Sequence, residues 1–293
     1  MFAVPAIFDQ FQTCLKLIAT VMISASVVQM LSSSSMIFIA LLTVFFLKKK
    51  YYRHHLLSII LIVLGMSVVS LSFILSKKGQ SSSDEHSPTD IVIGLICLQL
   101  GEFIGAMGYI IEERFFGQQE NLDPLLTVGY EGIAGLIFWA VALPIMQVVR
   151  CDVKAICAYG PIEDTARVFE DYAANPTLIV QSVILIFVSC IVNSTGVGIT
   201  KYGSAAQRTT VGLAKNMLVW IVFLCIPVAK LDRSKDPPAW KYEVIESFSL
   251  LQLAGFMILV LGVLLFNEIL VVPFCGLDRN TKEKLEQARP TER

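Results

Sequence analysis

The sequence predicts an all-α fold, a polytopic transmembrane bundle of about eight helices. Apolar residues make up 55% of the 293 residues and charged residues 16%, where a soluble domain carries about a quarter charged. Mean hydropathy is +0.68. The apolar residues also fall in blocks of roughly 20, the length that crosses a hydrocarbon core. The lipid bilayer is therefore the first partner. A net charge of −1 offers no basic surface, so nucleic acid is not expected as a partner.

The first segment runs from about Pro5 to Val27. Asp9, Gln10, Gln12, Thr13 and Lys16 interrupt it. It lacks the basic n-region of a signal peptide. A helix this polar persists in lipid only where other helices cover its polar face or where it lines a cavity. The second segment, Gln29 to Leu47, opens near the small cluster Ser32 to Ser35 and stops at Lys48-Lys49-Lys50. The third, Leu56 to Leu75, is cleanly apolar. A Ser-rich stretch from Ser76 to Asp90 reads as a solvated connector.

The fourth segment, Ile91 to Ile111, contains Glu102 and the GxxxG pair Gly101 and Gly105. Such a pair marks either a homodimer face or close packing inside one bundle. Glu112, Glu113 and Arg114 close this segment, and a polar turn broken by Asp123-Pro124 leads to the fifth, Leu125 to Val149. Glu131 sits inside it. The loop from Arg150 to Pro176 is the longest and is acidic. The sixth segment is Thr177 to Ile199 and the seventh Thr209 to Ala229, with Lys215 and Asn216 inside. Pro237-Pro238 precedes the eighth, Phe248 to Leu270, and a charged tail follows.

Eight crossings place both termini on one side. The loops on that side carry twelve Lys and Arg against nine opposite, and the KKKYYR cluster lies beside a helix end. Both termini are thus expected in the cytosol. The seven cysteines show no CxxC and no zinc spacing. Cys14, Cys97, Cys190 and Cys225 pack in apolar segments; Cys151 and Cys157 share a loop, as a pair or as two free thiols. His54, His55 and His86 are placed in loops without ligand spacing, so no metal and no cofactor are expected. The chain has no GxxxxGK[ST], HExxH or GxSxG, which argues against an enzyme.

An internal echo adds to this. Ser26-Val27-Val28-Gln29 introduces the second segment and Ser204-Ala205-Ala206-Gln207 the seventh. The runs LSIILIVLGMSVV and LQLAGFMILVLGV follow in step. Segments one to three thus read as a copy of six to eight, and odd-numbered copies insert in opposite orientations. The division expected is 1–75 for a three-helix remnant of the first repeat and 76–90 for a polar loop. Residues 91–270 form the five-helix second repeat and 271–293 a cytosolic tail.

These residues carry a resemblance. Pro5 to Asp9 (PAIFD), Gln29-Met30-Leu31, Glu112-Glu113-Arg114-Phe115, Val128-Gly129 with Glu131-Gly132, Thr200-Lys201, Trp220 and the LGVLLFNE run to Glu268 resemble the drug/metabolite transporter superfamily (EamA-like). Within it the chain is similar to the nucleotide-sugar-transporter-related solute carrier family 35, closest to F-type members. The resemblance implies two inverted five-helix halves and alternating-access transport of an organic solute, anionic or nucleotide-linked, across an endomembrane such as Golgi or lysosome. It also implies that the family's first two helices precede the position matched by Pro5, so that this chain is an N-terminally shortened form. The alternative is a non-transporting membrane scaffold, a partner-binding protein or a truncated inactive form.

The expected solute-binding residues are Lys215, Glu131, Glu102, Gln29, Tyr130, Asn193 and Asn216. Intramembrane charges are functional candidates, yet they are also usually paired. Lys215 lies about two turns inside its segment, and the resemblance implies a basic residue near there that meets an anionic group. Its other reading is a structural pair with Glu131 or Glu102. Glu102 reads as a proton-coupling acid or as a hydrogen-bonded packing residue. The amides and Tyr130 line a polar path or join helices.

Overall fold

The computed structural model describes residues 3–23, 25–48, 52–79, 88–119, 121–149, 162–225, 228–232, 239–243 and 250–271. These form α1 (Ala3–Met22), α2 (Ala25–Ser32), α3 (Ser35–Leu47), α4 (Arg53–Gly79), α5 (Pro88–Gln118), α6 (Pro124–Val148), α7 (Thr165–Ala174), α8 (Thr177–Tyr202), α9 (Ala205–Cys225) and α10 (Leu250–Phe266). Between α9 and α10 lie two short antiparallel strands, β1 (Val228–Asp232) and β2 (Ala239–Glu243), in register with Leu231 opposite Trp240. The fold is a polytopic helical bundle. Among the described residues five spans are long and apolar enough to cross a membrane: Val27–Leu47, Arg53–Ser72, Ile91–Gln118, Pro124–Val148 and Thr177–Tyr202. α10 is apolar but shorter, at 17 residues. The apolar window of α8 has no buried residue, and such a surface is one that lipid covers.

Several boundaries differ from those expected, the ends of the first, third, fourth and seventh segments among them, and three differences have a local cause. The second segment is two helices, because the chain turns at Ser33-Ser34 and Ser35 Oγ donates to the Ser32 carbonyl at 3.0 Å. Clustered serines offer the backbone such local alternatives to the helix ladder. The acidic loop contains a helix, α7, whose N-cap Asp164 accepts from the Arg167 amide at 3.2 Å. Tyr172 of α7 hydrogen-bonds Ser182 of α8 at 2.8 Å. The seventh helix starts at Ala205, four residues early, because Ser204 Oγ accepts from the Gln207 amide at 3.2 Å. Ser-x-x-Gln is a capping-box spacing, so the repeated motif is, at this copy, a helix start. Asp123-Pro124 behaves as read: Asp123 caps α6 by accepting from the Leu125 amide at 2.8 Å, with Pro124 in the first turn. Cys151, Cys157, His86 and the 272–293 tail lie outside the described residues.

The chain divides into two compact units, Met1–Met22 with Thr89–Arg208, and Ile23–Pro88 with Thr209–Arg293. In the second unit α4 and α10 pack closely. A Cβ built on Gly65 of α4 would stand 2.6 Å from the Leu259 amide nitrogen and 2.7 Å from the Gly255 carbonyl oxygen. Gly255 and Gly262 are equally confined by Val68 and Ile62. In lipid, where no hydrophobic force separates helix from tail, such glycines let backbones approach and gain dispersion contacts.

In the first unit the polar face of α1 is used. Gln12 is buried at 5% exposure and fills the space in front of Gly105. Gly101 and Gly108 face Leu15 and Phe8 of the same helix, each 3.3 Å from a built Cβ. The GxxxG stripe of α5 is therefore occupied within the chain by α1. Trp139 of α6 donates to Gln10 at 2.6 Å, and Phe11 meets Phe138 edge-on at 5.8 Å. Lys16 pairs with Glu102 at 2.8 Å.

Candidate functional site

Between α1, α5, α6, α8 and the start of α9 lies a cavity of about 140 Å³. Asp9, Gln10, Gln12, Tyr109, Glu112, Glu131, Asn193 and Arg208 are its polar lining. All belong to the first unit. The local sequence explains how the charges arrive there. Glu112 and Glu113 end the apolar face of α5, and both engage the first turn of α9. Glu113 Oε2 accepts from the Ala205 amide at 2.9 Å, where unpaired N–H groups at a helix start favour a carboxylate. Glu112 Oε2 accepts from Arg208 Nη1 at 2.8 Å. Arg208 also donates to Thr200 at 3.4 Å and lies over the Tyr109 ring at 4.2 Å, a cation–π distance. Lys201 donates to the Leu122 carbonyl at 2.6 Å, which ties the end of α8 to the turn before α6.

Acidic groups outnumber cations in the described lining of this cavity. Arg208 shares it with three carboxyl groups, those of Asp9, Glu112 and Glu131. The Glu112 and Glu131 side chains each keep one buried oxygen, Oε1, without a hydrogen-bond partner among the described residues. A buried acceptor left unmade costs about 1–3 kcal/mol, more when charged, so a proton, a cation or a polar solute group can be accommodated at these two oxygens.

Of the seven residues expected from the sequence, Glu131 and Asn193 line this cavity. Glu102 is buried at 1% exposure, three residues before the lining Gly105, and its carboxylate takes Lys16 as partner. Tyr130 is 48% exposed. Gln29, Lys215 and Asn216 belong to the second unit, where Gln29 is half-buried, Lys215 exposed and Asn216 buried. Sequence reasoning missed Arg208, because the apolar run resumes only at Thr209 and Arg208 counted as a loop cation. The capping-box spacing of Ser204 and Gln207 was the available signal. His54 and His55 also move from loop to helix, in the first turn of α4.

The UAA transporter family model matches residues 10–142. Solute carrier family 35 member F6 of Homo sapiens is 28% identical over 290 residues, which covers 99% of this chain and 70% of that protein. The Pongo abelii protein of the same name gives the same values. An uncharacterized protein of Schizosaccharomyces pombe is 28% identical over 271 residues, 92% of this chain and 75% of its own length.

Proposed function

We propose, from the premise that this chain is an F-type relative within solute carrier family 35, that it carries an organic solute with an anionic group across an endomembrane by alternating access. The integral, multi-pass character and the non-enzymatic role follow from that relationship. The cavity supports the finer reading: a part-buried guanidinium held by a buried carboxylate, among apolar helices. A fixed cation offsets part of the hydration an anion loses on entry, and does so better at low dielectric than in water. On this reading the solute's anionic group draws Arg208 away from Glu112. Glu112 then lacks its counter-charge, and a proton taken up from solution onto the Glu131–Glu112 pair of acids restores neutrality. Solute and proton move together. The inverted-repeat division and cytosolic termini are part of the same proposal.

Two outcomes test it in proteoliposomes holding the purified chain. Glu131→Gln keeps size and hydrogen bonding but has no titratable proton. It should retain solute equilibration and lose the accumulation that an imposed pH gradient drives in the unaltered protein. Equal gradient-driven accumulation in both would remove Glu131 from coupling. Lys215→Met, which removes the basic residue that the resemblance implies on the solute's path, should abolish flux, with the thermal midpoint in detergent measured beside it. Full flux in a folded Lys215→Met protein would remove that residue from the path. No flux of any organic anion by the unaltered chain would favour a non-transporting scaffold.

A further inference from the structure

A second group of ionisable side chains lies far from the cavity in sequence, in the second unit. Arg53 opens α4, and the next two residues, His54 and His55, are 3% and 7% exposed. Burying two imidazoles in one helical turn is costly unless their nitrogens are engaged. Glu268, two residues beyond α10, reaches them: His54 Nε2 and Glu268 Oε1 are 3.1 Å apart. One ligand atom from each of the three residues lies within 4.8 Å of the others.

The packing around them fixes the rings. Tyr52 stacks near His54 at 6.1 Å and 17°, the two imidazoles sit 4.0 Å apart, and the Phe266 ring meets His55 edge-on at 4.9 Å. Ser58 Oγ donates to the His54 carbonyl at 2.7 Å, which steadies the same turn. Glu268 is held by backbone geometry that its residue type resists. Its φ is +57°, the left-handed conformation that ends helices and normally falls to glycine or asparagine. Its amide donates to the Leu265 carbonyl at 3.2 Å, and the Ile269 amide donates to the Leu264 carbonyl at 3.1 Å. A helix end of this kind needs no carboxylate. The strained position gains instead a side chain aimed at two buried imidazoles.

We infer that His54, His55 and Glu268 form a binding site for a divalent transition cation, with Zn²⁺ the preferred ion. Two imidazoles and one carboxylate are a donor set that suits Zn²⁺ and not Mg²⁺ or Ca²⁺. Donors bound tetrahedrally at about 2.0–2.1 Å stand roughly 3.3 Å apart, close to the His54–Glu268 separation. The Glu268 side chain is 11% exposed and those of the histidines less, so the carboxylate side gives the ion its entry and leaves a fourth position for water. The bound ion joins the start of α4 to the end of α10.

The test uses the purified full chain in detergent, stripped with EDTA and then given ZnCl₂ alone. Equilibrium dialysis with metal analysis should find one Zn²⁺ per chain, with a saturable rise in thermal midpoint that MgCl₂ and CaCl₂ do not give. Co²⁺ in place of Zn²⁺ should show the visible absorption of a four-coordinate site with nitrogen and oxygen donors. Glu268→Gln still accepts a hydrogen bond from His54, so its midpoint without metal should match the unaltered chain. Its Zn²⁺ affinity should fall by at least about 10-fold, since even residues behind the ligands cost that much. If that variant does not fold, His55→Gln serves in its place with the same expectation. Lack of 1:1 uptake by the unaltered chain overturns the inference. So does uptake that survives in either folded variant, which would place the ion elsewhere on the chain.

Discussion

Arg208→Met should leave a protein that is both inactive and strongly destabilised. Glu112 is 4% exposed and its Oε2 accepts from Arg208 at 2.8 Å. Arg208 is partly exposed, so removing it strands the buried Glu112 charge at a cost of up to about 3–5 kcal/mol, the figure for a fully buried pair. Glu112→Gln added to Arg208→Met removes the stranded charge and should recover most of that loss. Flux should not return, because the cation is still absent. Thermal unfolding in detergent and flux in proteoliposomes, run on the single and double variants, separate the two roles. A double variant that carries solute as the unaltered chain does would make Arg208 purely structural. A single variant as stable as the unaltered chain would mean that Glu112 is neutral beside it.

Gly65→Leu should prevent the second unit from folding, and Gly65→Ala should cost about 1–3 kcal/mol, as overpacking does. The obstacle is the Leu259 amide nitrogen at 2.6 Å and the Gly255 carbonyl oxygen at 2.7 Å. Backbone cannot step aside as a side-chain tip can, so the α4–α10 pair must separate. Gly129→Ala in α6 is the matched control. A Cβ there meets nothing within 4 Å, and alanine is the better helix former by about 1 kcal/mol. Monodisperse expression and thermal midpoint read both. Equal midpoints for Gly65→Ala and the unaltered chain would show that the helices are not in the contact described.

The amino-acid sequence by itself determined the class of this protein and the approximate position of its long apolar helices, but not the break between α2 and α3, the helix α7 or the strands β1 and β2. Apolar runs near 20 residues have one stable solution in lipid, since every backbone amide must be bonded within its own segment. The Asp123-Pro124 start of α6 was equally local, because a cap is a contact between neighbours in the chain. Local chemistry also held the start of α9 at Ser204 and Gln207, though hydropathy alone obscured it. What only the tertiary structure decided was partnership. Glu102 was visible as a buried acid, but its choice of Lys16, 86 positions earlier, depends on α1 lying in the glycine groove of α5. Glu112 was visible at a helix end, and Arg208 was not, because neither hydropathy nor spacing links residues 96 apart. His54 and His55 were adjacent in sequence and gave no ligand pattern. Their third partner, Glu268, is 214 positions away, where the end of α10 returns to the start of α4. Periodicity sets which face of a helix is polar; only packing sets what that face meets.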